Sequence, residues 1–272
     1  MISEFRFTFL GTGTSGGVPE LGCECPVCRS EDLRNRRTRT AGLLQLEGKN
    51  YLIDCGPDIR QQLLRHHIQR IDGVFFTHAH ADHIFGLDDL RALSFRNGRM
   101  TIPLYLHPEH AAQLKRAFSY LFEPPTQVGG GILPVEIRSL DWGNVFSVDG
   151  LMVTPVLVMH GKIPVTAFTF EKRLAYVTDA SFIPKASRSL LSDFPFLILN
   201  ALRPRPHPTH FHFSESFSTA LSLRSKKTFF VHMNHDVSHE DFQKMAPPTM
   251  GPAHDGLQLN LLEDSSSRND HV

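Results

Sequence analysis

One short segment concentrates side chains that bind metal ions. It reads Thr-His-Ala-His-Ala-Asp-His from Thr77 to His83, directly after the apolar run 73–76. Neutral imidazoles and carboxylates are ligands for zinc, manganese or iron. A strand end followed by a short loop can aim alternate side chains at different points, so we expect the segment to serve two ions. A solvated histidine-rich loop is the alternative.

Three further polar side chains come at the ends of predicted strands. They are His160, Asp179 and His232, each preceded by an apolar run. Open α/β sheets place their sites at the carboxyl ends of strands. Each of these residues alone is better explained as a capping or surface residue. Together with the segment 77–83, they predict a single metal centre.

The cysteines predict a separate metal site. Cys23, Cys25 and Cys28 lie within six residues of one another, and the chain opens without a recognisable secretory signal. Metal binding is therefore expected rather than disulfides. A tetrahedral structural zinc site needs a fourth ligand, which the spacing alone does not choose. Three reduced cysteines in a loop are the alternative, and we expect Cys55 to pack as a small apolar side chain.

Strands and helices that would position these groups recur in both halves of the chain. Strands are predicted at 5–10, 43–46, 51–53, 73–76, 135–139, 145–148, 152–158, 165–170, 174–177, 196–199 and 229–231, and helices at 59–66, 88–95, 109–122 and 214–224. The pattern predicts an α/β fold with two sheets packed face to face and helices outside. We expect one domain over residues 1–263, with a metal-binding loop at about 20–30, and a polar, disordered tail over 264–272.

Composition narrows the classes of partner. The chain has 272 residues, 41 % of them hydrophobic, with 28 basic and 28 acidic side chains. A net charge of zero argues against a broad surface for nucleic acid or membrane. No uncharged apolar stretch reaches about 18 residues, the length needed to span a bilayer. We expect a cytoplasmic protein with no membrane partner.

The order of the metal-binding residues resembles the di-metal hydrolases of the metallo-β-lactamase superfamily, and the resemblance extends from Gly11 to about Leu261. It implies a four-layer αβ/βα sandwich with mixed sheets and both ions at one edge. By position it assigns a first ion to His78, His80 and His160, a second ion to Asp82, His83 and His232, and a bridging role to Asp179. Asp54 matches the acid that orients a ligand histidine in this superfamily, with a strand-end turn residue as the alternative.

Within that superfamily, the Gly-Cys-x-Cys-x-x-Cys segment after a Gly-Thr-Gly loop resembles the phosphoribosyl cyclic phosphodiesterase family. This resemblance implies that His235 is the fourth ligand of a structural Zn²⁺. It also implies that His212 is a general acid acting beside Asp82 and Asp179. The expected enzyme is a di-metal phosphodiesterase that opens a small cyclic phosphodiester, 5-phosphoribosyl 1,2-cyclic phosphate, with water activated between the ions. Manganese is the expected catalytic metal, with Zn²⁺ or Fe²⁺ as alternatives, and a homodimer is expected.

Two other functions remain open. A tRNA 3′-processing nuclease resembling ribonuclease Z has a nearly identical metal motif, but it predicts an inserted Gly- and Lys-rich arm that we do not find. A metal-stabilised binding module would require the loss of a catalytic ligand, and none is lost. The basic run from Arg34 to Arg39 predicts either a solvated face or a grip on a terminal phosphate.

Overall fold

The computed structural model describes residues 3–123 and 131–263, and two mixed sheets of seven strands each dominate it. The strands are β1 (Phe5–Gly11), β2 (Ala41–Leu46), β3 (Lys49–Ile53), β4 (Gly73–Phe75), β5 (Ile102–Leu106), β6 (Val135–Ser139), β7 (Phe146–Val148), β8 (Leu151–His160), β9 (Ile163–Phe170), β10 (Leu174–Val177), β11 (Phe196–Asn200), β12 (Lys227–Val231), β13 (Met250–Pro252) and β14 (Gln258–Asn260). The first sheet has the order β14-β1-β2-β3-β4-β5-β6, and the second has the order β13-β12-β11-β10-β9-β8-β7.

Eight α-helices lie in the described ranges. They are α1 (Ile59–Arg65), α2 (Ala81–Ile84), α3 (Arg91–Arg96), α4 (Pro108–Ala117), α5 (Ser119–Phe122), α6 (Lys185–Leu191), α7 (Phe213–Leu223) and α8 (His239–Met245). Short 3₁₀ helices cover Leu33–Asn35 and Leu87–Leu90.

Three apolar clusters separate four layers. Aromatic side chains fill the space between the two sheets, among them Phe7, Phe75 and Phe168. A second cluster joins the outer face of the second sheet to α6, α7 and α8, and a third joins the first sheet to α1 and α4. Burying one such aromatic side chain contributes about 1.5–3 kcal/mol. The predicted fold class, two mixed sheets face to face with outer helices, is confirmed.

Strand direction brings the predicted site residues to one edge of each sheet. In the second sheet β8 and β10 both run antiparallel to β9, while β10, β11 and β12 run parallel to one another. His160, Asp179 and His232 therefore come at the same edge. In the first sheet β3 and β4 are parallel, so the residues that follow them also meet at one edge.

Several elements differ from the prediction. The helix expected over 109–122 is broken at Phe118, whose φ of −124° and ψ of 45° separate α4 from α5. Strand β5 was not predicted because Pro103, which lacks an amide hydrogen, is unusual in a strand paired on both sides. Helices α2, α6 and α8 were not predicted either. The tail 264–272 lies outside the described residues, and the single domain stays a prediction.

Candidate metal centre

The three histidines assigned to a first ion lie together at the edge where the strands end. His78 follows β4, His80 precedes α2, and His160 is the last residue of β8. One ring nitrogen from each histidine lies within 4.8 Å of the others. The ring centroids of His78 and His80 are 4.4 Å apart, and those of His80 and His160 are 5.2 Å apart. The structure thus forms a three-nitrogen group from these side chains.

A second group contains two carboxylates and two imidazoles. Asp82 and His83 lie in α2, whereas Asp179 and His232 follow β10 and β12. His83 Nε2 is 3.3 Å from an Asp82 oxygen and 3.4 Å from Asp179 Oδ2. His232 Nδ1 is 3.2 Å from Asp179 Oδ1. One ligand atom from each of the four residues falls within 4.8 Å of the rest.

Asp179 lies between the two groups. Its Oδ2 atom contacts His83 in the second group and is 3.9 Å from His78 Nε2 in the first. The residue is only 2 % exposed. A buried carboxylate in this position can serve an ion on either side.

Three residues of this region adopt left-handed backbone conformations that are uncommon outside glycine. The φ angles are 63° at Asp54, 56° at Asp179 and 58° at His232. Each residue comes directly after a strand or within two residues of its end, so the chain turns there and the side chain leaves the sheet at its edge. Such conformations cost about 1–3 kcal/mol each and persist where the surrounding structure over-determines them.

Unpartnered ring nitrogens provide the test of whether metal ions fit. The buried atoms His78 Nε2, His83 Nε2 and His232 Nδ1 have no hydrogen-bond partner among the described residues. Burying a polar atom without a partner costs about 1–3 kcal/mol. All three atoms lie within 4 Å of an Asp179 oxygen. Nitrogen and carboxylate oxygen converging in this way form the donor set of a divalent transition-metal ion, so the residues fit two such ions.

Electrostatics favour the protonation states that metal binding requires. Burial and the neighbouring His83 lower the pKa of His78, and burial lowers the pKa of His232. Burial alone would raise the pKa of Asp179, but His232 and His83 hold that pKa well below its usual value. At neutral pH His78 and His232 are therefore neutral and Asp179 is ionised, which are the states that bind metal ions. Burial alone would lower the pKa of His83, but the carboxylates of Asp179 and Asp54 raise it well above its usual value.

Hydrogen bonds to the Nδ1 atoms of His78 and His83 fix the orientation of these two ligand rings. Asp54 Oδ2 is 2.7 Å from His83 Nδ1 and also accepts from the Thr77 hydroxyl at 2.8 Å. The same hydroxyl is 3.0 Å from His78 Nδ1. Asp54 thus orients one ligand directly and another through Thr77, and the Nε2 atoms are left facing the centre.

The third ligand ring is oriented by a different segment. His160 Nδ1 is 2.6 Å from the carbonyl oxygen of Thr209, which accepts from it. Gly161 permits this approach, because a Cβ there would lie 2.9 Å from the Thr209 side chain, and its φ is +61°. The segment around Thr209 therefore packs directly against the metal centre.

His210, to which the sequence assigned no role, belongs to this centre. One of its ring nitrogens lies within 4.8 Å of ligand atoms of His160 and Asp179. Its ring centroid is 4.4 Å from that of His160 and 4.8 Å from that of His232. It is 8 % exposed, and its Nδ1 atom has no described partner. Burial and the nearby His232 lower the pKa of His210 to about 3.

The three clustered cysteines form a second group with His235. The Sγ atoms of Cys23 and Cys25 are 3.4 Å and 3.3 Å from His235 Nδ1, and the ligand atoms of all four residues lie within 4.8 Å of one another. Cys28 completes the set. The other ring nitrogen of His235 is 2.6 Å from Glu20 Oε2, and such a carboxylate typically fixes the orientation of a metal-binding imidazole.

Local hydrogen bonds and burial give Cys25 and Cys28 different thiol pKa values. The backbone N–H of Cys28 and the ring of His235 lower the pKa of Cys25 to about 6. Burial raises the pKa of Cys28 to about 11. Three sulfurs and one imidazole are the donor set of a tetrahedral structural zinc site, so the residues fit that ion.

Comparison with known proteins identifies the family. The family described as "Beta-lactamase superfamily domain" matches residues 49–233, which is more than half of the chain. The chain belongs to the metallo-β-lactamase superfamily of hydrolases. The resemblance stated from the sequence is thereby confirmed.

Relatives of this superfamily member differ in the activities that their names give. A crystal structure described as a new diphosphatase from the PhnP family is 41 % identical, with a TM-score of 0.87, covering 94 % of this chain and 97 % of that one. An octanoyltransferase of Porphyromonas gingivalis is 34 % identical over 95 % of this chain and 52 % of its own length. A ribonuclease Z of Bradyrhizobium diazoefficiens is 29 % identical over 61 % of this chain and 50 % of its own length. The chain spans about half the length of these two curated relatives.

His212, the residue expected to act as a general acid, bonds to two nearby side chains of the same segment. It precedes α7, and its backbone N–H donates to Glu215 Oε2 at 3.2 Å. Its Nδ1 atom is 2.6 Å from the same oxygen, and its Nε2 atom is 2.7 Å from the Ser214 hydroxyl. Both ring nitrogens are thus engaged at the helix start, whereas His210 faces the ligand groups. Because His207, His210 and His212 lie within six residues of one another, their spacing in the sequence does not show which of them faces the ligand groups.

The basic run is not a uniformly solvated face. Arg34 pairs with Asp32 at 2.9 Å, and Arg39 pairs with Asp58 at 3.0 Å. Arg37 is only 3 % exposed.

In the residues that the structure describes, no helix combines the length and apolar character needed to cross a bilayer.

Proposed function

We propose that this chain is a di-metal phosphodiesterase that hydrolyses a small cyclic phosphodiester, 5-phosphoribosyl 1,2-cyclic phosphate. The observation that carries the proposal is the position of Asp179 between two ligand groups, with His210 beside them. The similarity to a PhnP-family diphosphatase over 94 % of the chain supports phosphoester chemistry.

In this proposal His78, His80 and His160 would hold one ion, and Asp82, His83 and His232 would hold the other. Asp179 would contribute to both. Two divalent ions so held would lower the pKa of a bound water and neutralise charge on phosphoryl oxygens. Because His78, His83 and His160 are buried and their rings are held by hydrogen bonds, little reorganisation of these ligands is needed when charge develops on the phosphoryl group.

His210 is the proposed partner of the reacting phosphoryl group. Its low pKa means that the ring is neutral at neutral pH, so it acts through its N–H as a hydrogen-bond donor. A neutral donor near the ligand groups can stabilise the departing alkoxide oxygen by hydrogen bonding to it as the bond breaks. We assign this role to His210 rather than His212 because His212 is engaged by Glu215 and Ser214.

Donor chemistry limits the metal ions that each ligand group can hold. Histidine and carboxylate ligands suit manganese, zinc and iron, and we propose manganese for the catalytic pair. Thiolates select softer ions, so we propose one structural Zn²⁺ at the cysteine group. That zinc would connect the loop around Cys25 to the segment that carries His232.

Two other activities have specific support. The relative at 41 % identity is described as a diphosphatase. That activity would use the same metal chemistry to cleave a phosphoanhydride. The ribonuclease Z relatives favour an RNA phosphodiester. All three substrates would place a phosphoryl group at the same ligand residues. They differ in the chemical groups attached to that phosphoryl group.

Hydrolysis assays with added manganese would separate these alternatives. The substrates are 5-phosphoribosyl 1,2-cyclic phosphate, a 2′,3′-cyclic nucleotide, a nucleoside diphosphate sugar, bis(p-nitrophenyl) phosphate and a precursor tRNA. The proposal expects the highest kcat/KM for the ribosyl ester. Preference for the diphosphate would assign the first alternative, and cleavage of the tRNA trailer alone would assign the second. No hydrolysis of any substrate in the presence of manganese, zinc or iron would refute the proposal.

A further inference from the structure

A fully buried asparagine ends the strand that lies between the strands leading to Asp179 and His232. Asn200 is the last residue of β11, and it is 0 % exposed. In the second sheet β11 pairs with β10 on one side and with β12 on the other. Asp179 follows β10, and His232 follows β12. A buried amide is unfavourable unless its hydrogen bonds are made, so the partners of Asn200 indicate its role.

The Asn200 amide bonds to both backbone groups of Ala180. Its Oδ1 atom accepts from the Ala180 N–H at 2.8 Å, and its Nδ2 atom donates to the Ala180 carbonyl oxygen at 3.0 Å. Because a side-chain amide carries one acceptor and one donor group on the same plane, it satisfies both backbone groups together. Ala180 directly follows Asp179. Asn200 therefore holds the residue next to the carboxylate that lies between the two ligand groups.

The same carbonyl oxygen joins a second segment to this pair. The Ala180 oxygen also accepts from the Phe211 N–H at 2.7 Å. Phe211 directly follows His210. One oxygen atom thus receives donors from Asn200 and from Phe211. It links the residue after Asp179 to the residue after His210.

The backbone of Asn200 is itself tied to α7. The Ser216 hydroxyl donates to the Asn200 carbonyl oxygen at 2.8 Å and is 3.0 Å from the His212 carbonyl oxygen. Ser216 lies in α7 and is 0 % exposed. The position of the Asn200 side chain is therefore fixed by β11 and α7 together.

The left-handed backbone at Asp179 explains why the bonds to Ala180 matter. The φ angle of Asp179 is 56°, and a non-glycine residue keeps such a conformation only where its surroundings hold it. The bond from the Ala180 N–H to Asn200 fixes the peptide group directly after Asp179. Without that bond, the backbone of Asp179 is free to relax, and its carboxylate then leaves the position between the two ligand groups.

We propose that Asn200 is a positioning residue that sets Asp179 and His210 relative to each other. It acts through the backbone of Ala180 and Phe211, since its own side chain is fully buried and does not meet substrate. The catalytic roles of Asp179 and His210 rest on the proposed function. The proposal adds that one side chain maintains the arrangement of the shared ligand and the hydrogen-bond donor.

Hydrogen–deuterium exchange on purified Asn200→Ala tests the proposal without an activity assay. Loss of the amide should speed exchange of the Ala180 and Phe211 N–H groups by about 10-fold or more, because both lose the partner that holds them. The amides of β2 and β3, in the first sheet, should keep wild-type rates. A general loss of stability would instead speed exchange in both sheets.

Kinetics and metal binding provide further readouts. With saturating manganese and bis(p-nitrophenyl) phosphate, kcat of Asn200→Ala should fall by about 10- to 100-fold, the range typical when a group that orients a metal ligand is removed. KM should change by less than about 2-fold, since Asn200 contributes no contact to the substrate. Titration with manganese should show a Kd raised by about 10-fold or more.

Asn35→Ala is the matched control. Asn35 is 4 % exposed, and its amide also bonds a backbone N–H, that of His239, at 2.7 Å. This variant should lose stability through the same kind of hydrogen bond. It should keep wild-type exchange at Ala180 and Phe211, wild-type kcat and wild-type affinity for manganese.

Two results would overturn the positioning role. One is wild-type exchange at Ala180 and Phe211 in Asn200→Ala, and the other is a kcat no lower than that of Asn35→Ala. If Asn200→Ala does not fold, Asn200→Ser replaces it, because serine keeps a polar group in this place but is too short to bond both groups of Ala180.

Failure of the positioning role can be told apart from failure of the proposed function. Wild-type protein that hydrolyses no phosphodiester overturns the proposed function. The exchange rates and the titration with manganese then still decide whether Asn200 positions Asp179 and His210.

Discussion

His232 and His235 lie three residues apart on the segment after β12, yet their side chains belong to different ligand groups. His232 contacts Asp179 in the catalytic group, whereas His235 contacts the sulfurs of Cys23 and Cys25. The backbone between them also pairs with the N-terminal loop, since the Thr14 N–H donates to the Met233 carbonyl at 3.0 Å. The cysteine group and this backbone pairing therefore hold the segment that carries His232, a proposed ligand of the catalytic metal pair.

Cys25→Ser should remove one zinc per chain and lower stability. Losing the metal releases the loop from the segment carrying His235, and we expect a fall in melting temperature of about 10 °C, equivalent to a few kcal/mol for a chain of this size. Some hydrolysis should remain, because the catalytic ligands are intact. Zinc content by mass spectrometry and thermal unfolding are the measurements. Glu24→Gln, an exposed change in the same loop, is the matched control. Wild-type zinc content and melting temperature in Cys25→Ser would exclude the structural site.

Asp179→Asn should abolish turnover while keeping the size and shape of the side chain. Removing the shared negative charge weakens both groups, because the Asp179 carboxylate lies within 4 Å of nitrogen atoms in each. We expect kcat to fall at least about 1,000-fold, together with a loss of catalytic metal measured on the purified protein. Asp193→Asn, which alters an exposed carboxylate paired with Arg224, should change neither. Retained activity with full metal content would rule out the shared-ligand arrangement.

The sequence indicated which polar side chains gather at the edge of the sheets, because the ends of the strands can be recognised in it. An apolar run followed by histidine or aspartate identified His160, Asp179 and His232, and parallel strand order brings such positions to one edge. The left-handed backbone that turns Asp179 and His232 out of the sheet has no comparable signal in the sequence. It results from packing around the site.

Other features depend on distant contacts and were missed for that reason. His210 and His212 both lie just before α7, and only their tertiary surroundings show that the first faces the ligand groups. Arg37 looks like one more member of a basic run, but it is buried and donates to Thr12 and to the Ala253 carbonyl. These partners lie 25 and 216 positions away along the chain, beyond the reach of local patterns.

His210→Ala and His212→Ala should separate chemistry from stability. Loss of the donor at His210 should lower kcat by about 100- to 1,000-fold without loss of catalytic metal. Loss of His212 should lower the free energy of unfolding by about 1 kcal/mol, since it caps α7 together with Glu215. Single-turnover rates and urea unfolding measure the two effects. If His212→Ala instead slows chemistry and His210→Ala does not, the assignment must be reversed.

A buried histidine outside the metal centre should make stability depend on pH. His239 is 6 % exposed, and its Nδ1 atom is 3.2 Å from the Arg37 guanidinium. Burial and the positive charge of Arg37 lower the pKa of His239 to about 3. In the unfolded chain the same ring should titrate at about 6.5. As the pH falls below about 6.5, the unfolded state therefore binds a proton that the folded state does not.

The contribution of His239 to stability is thus intact above about pH 6.5 and is lost as the pH falls toward about 3. Across that window one such proton lowers the free energy of unfolding by about 1.4 kcal/mol per pH unit. His239→Gln has no proton to bind, so its unfolding free energy should fall less steeply with acid than that of the wild type. Urea unfolding at several pH values between 7 and 4 would measure both slopes. His67→Asn, which alters an exposed histidine, should keep the wild-type slope, because its ring meets solvent in both states. Parallel curves for His239→Gln and the wild type would mean that the Arg37–His239 contact does not exclude the proton.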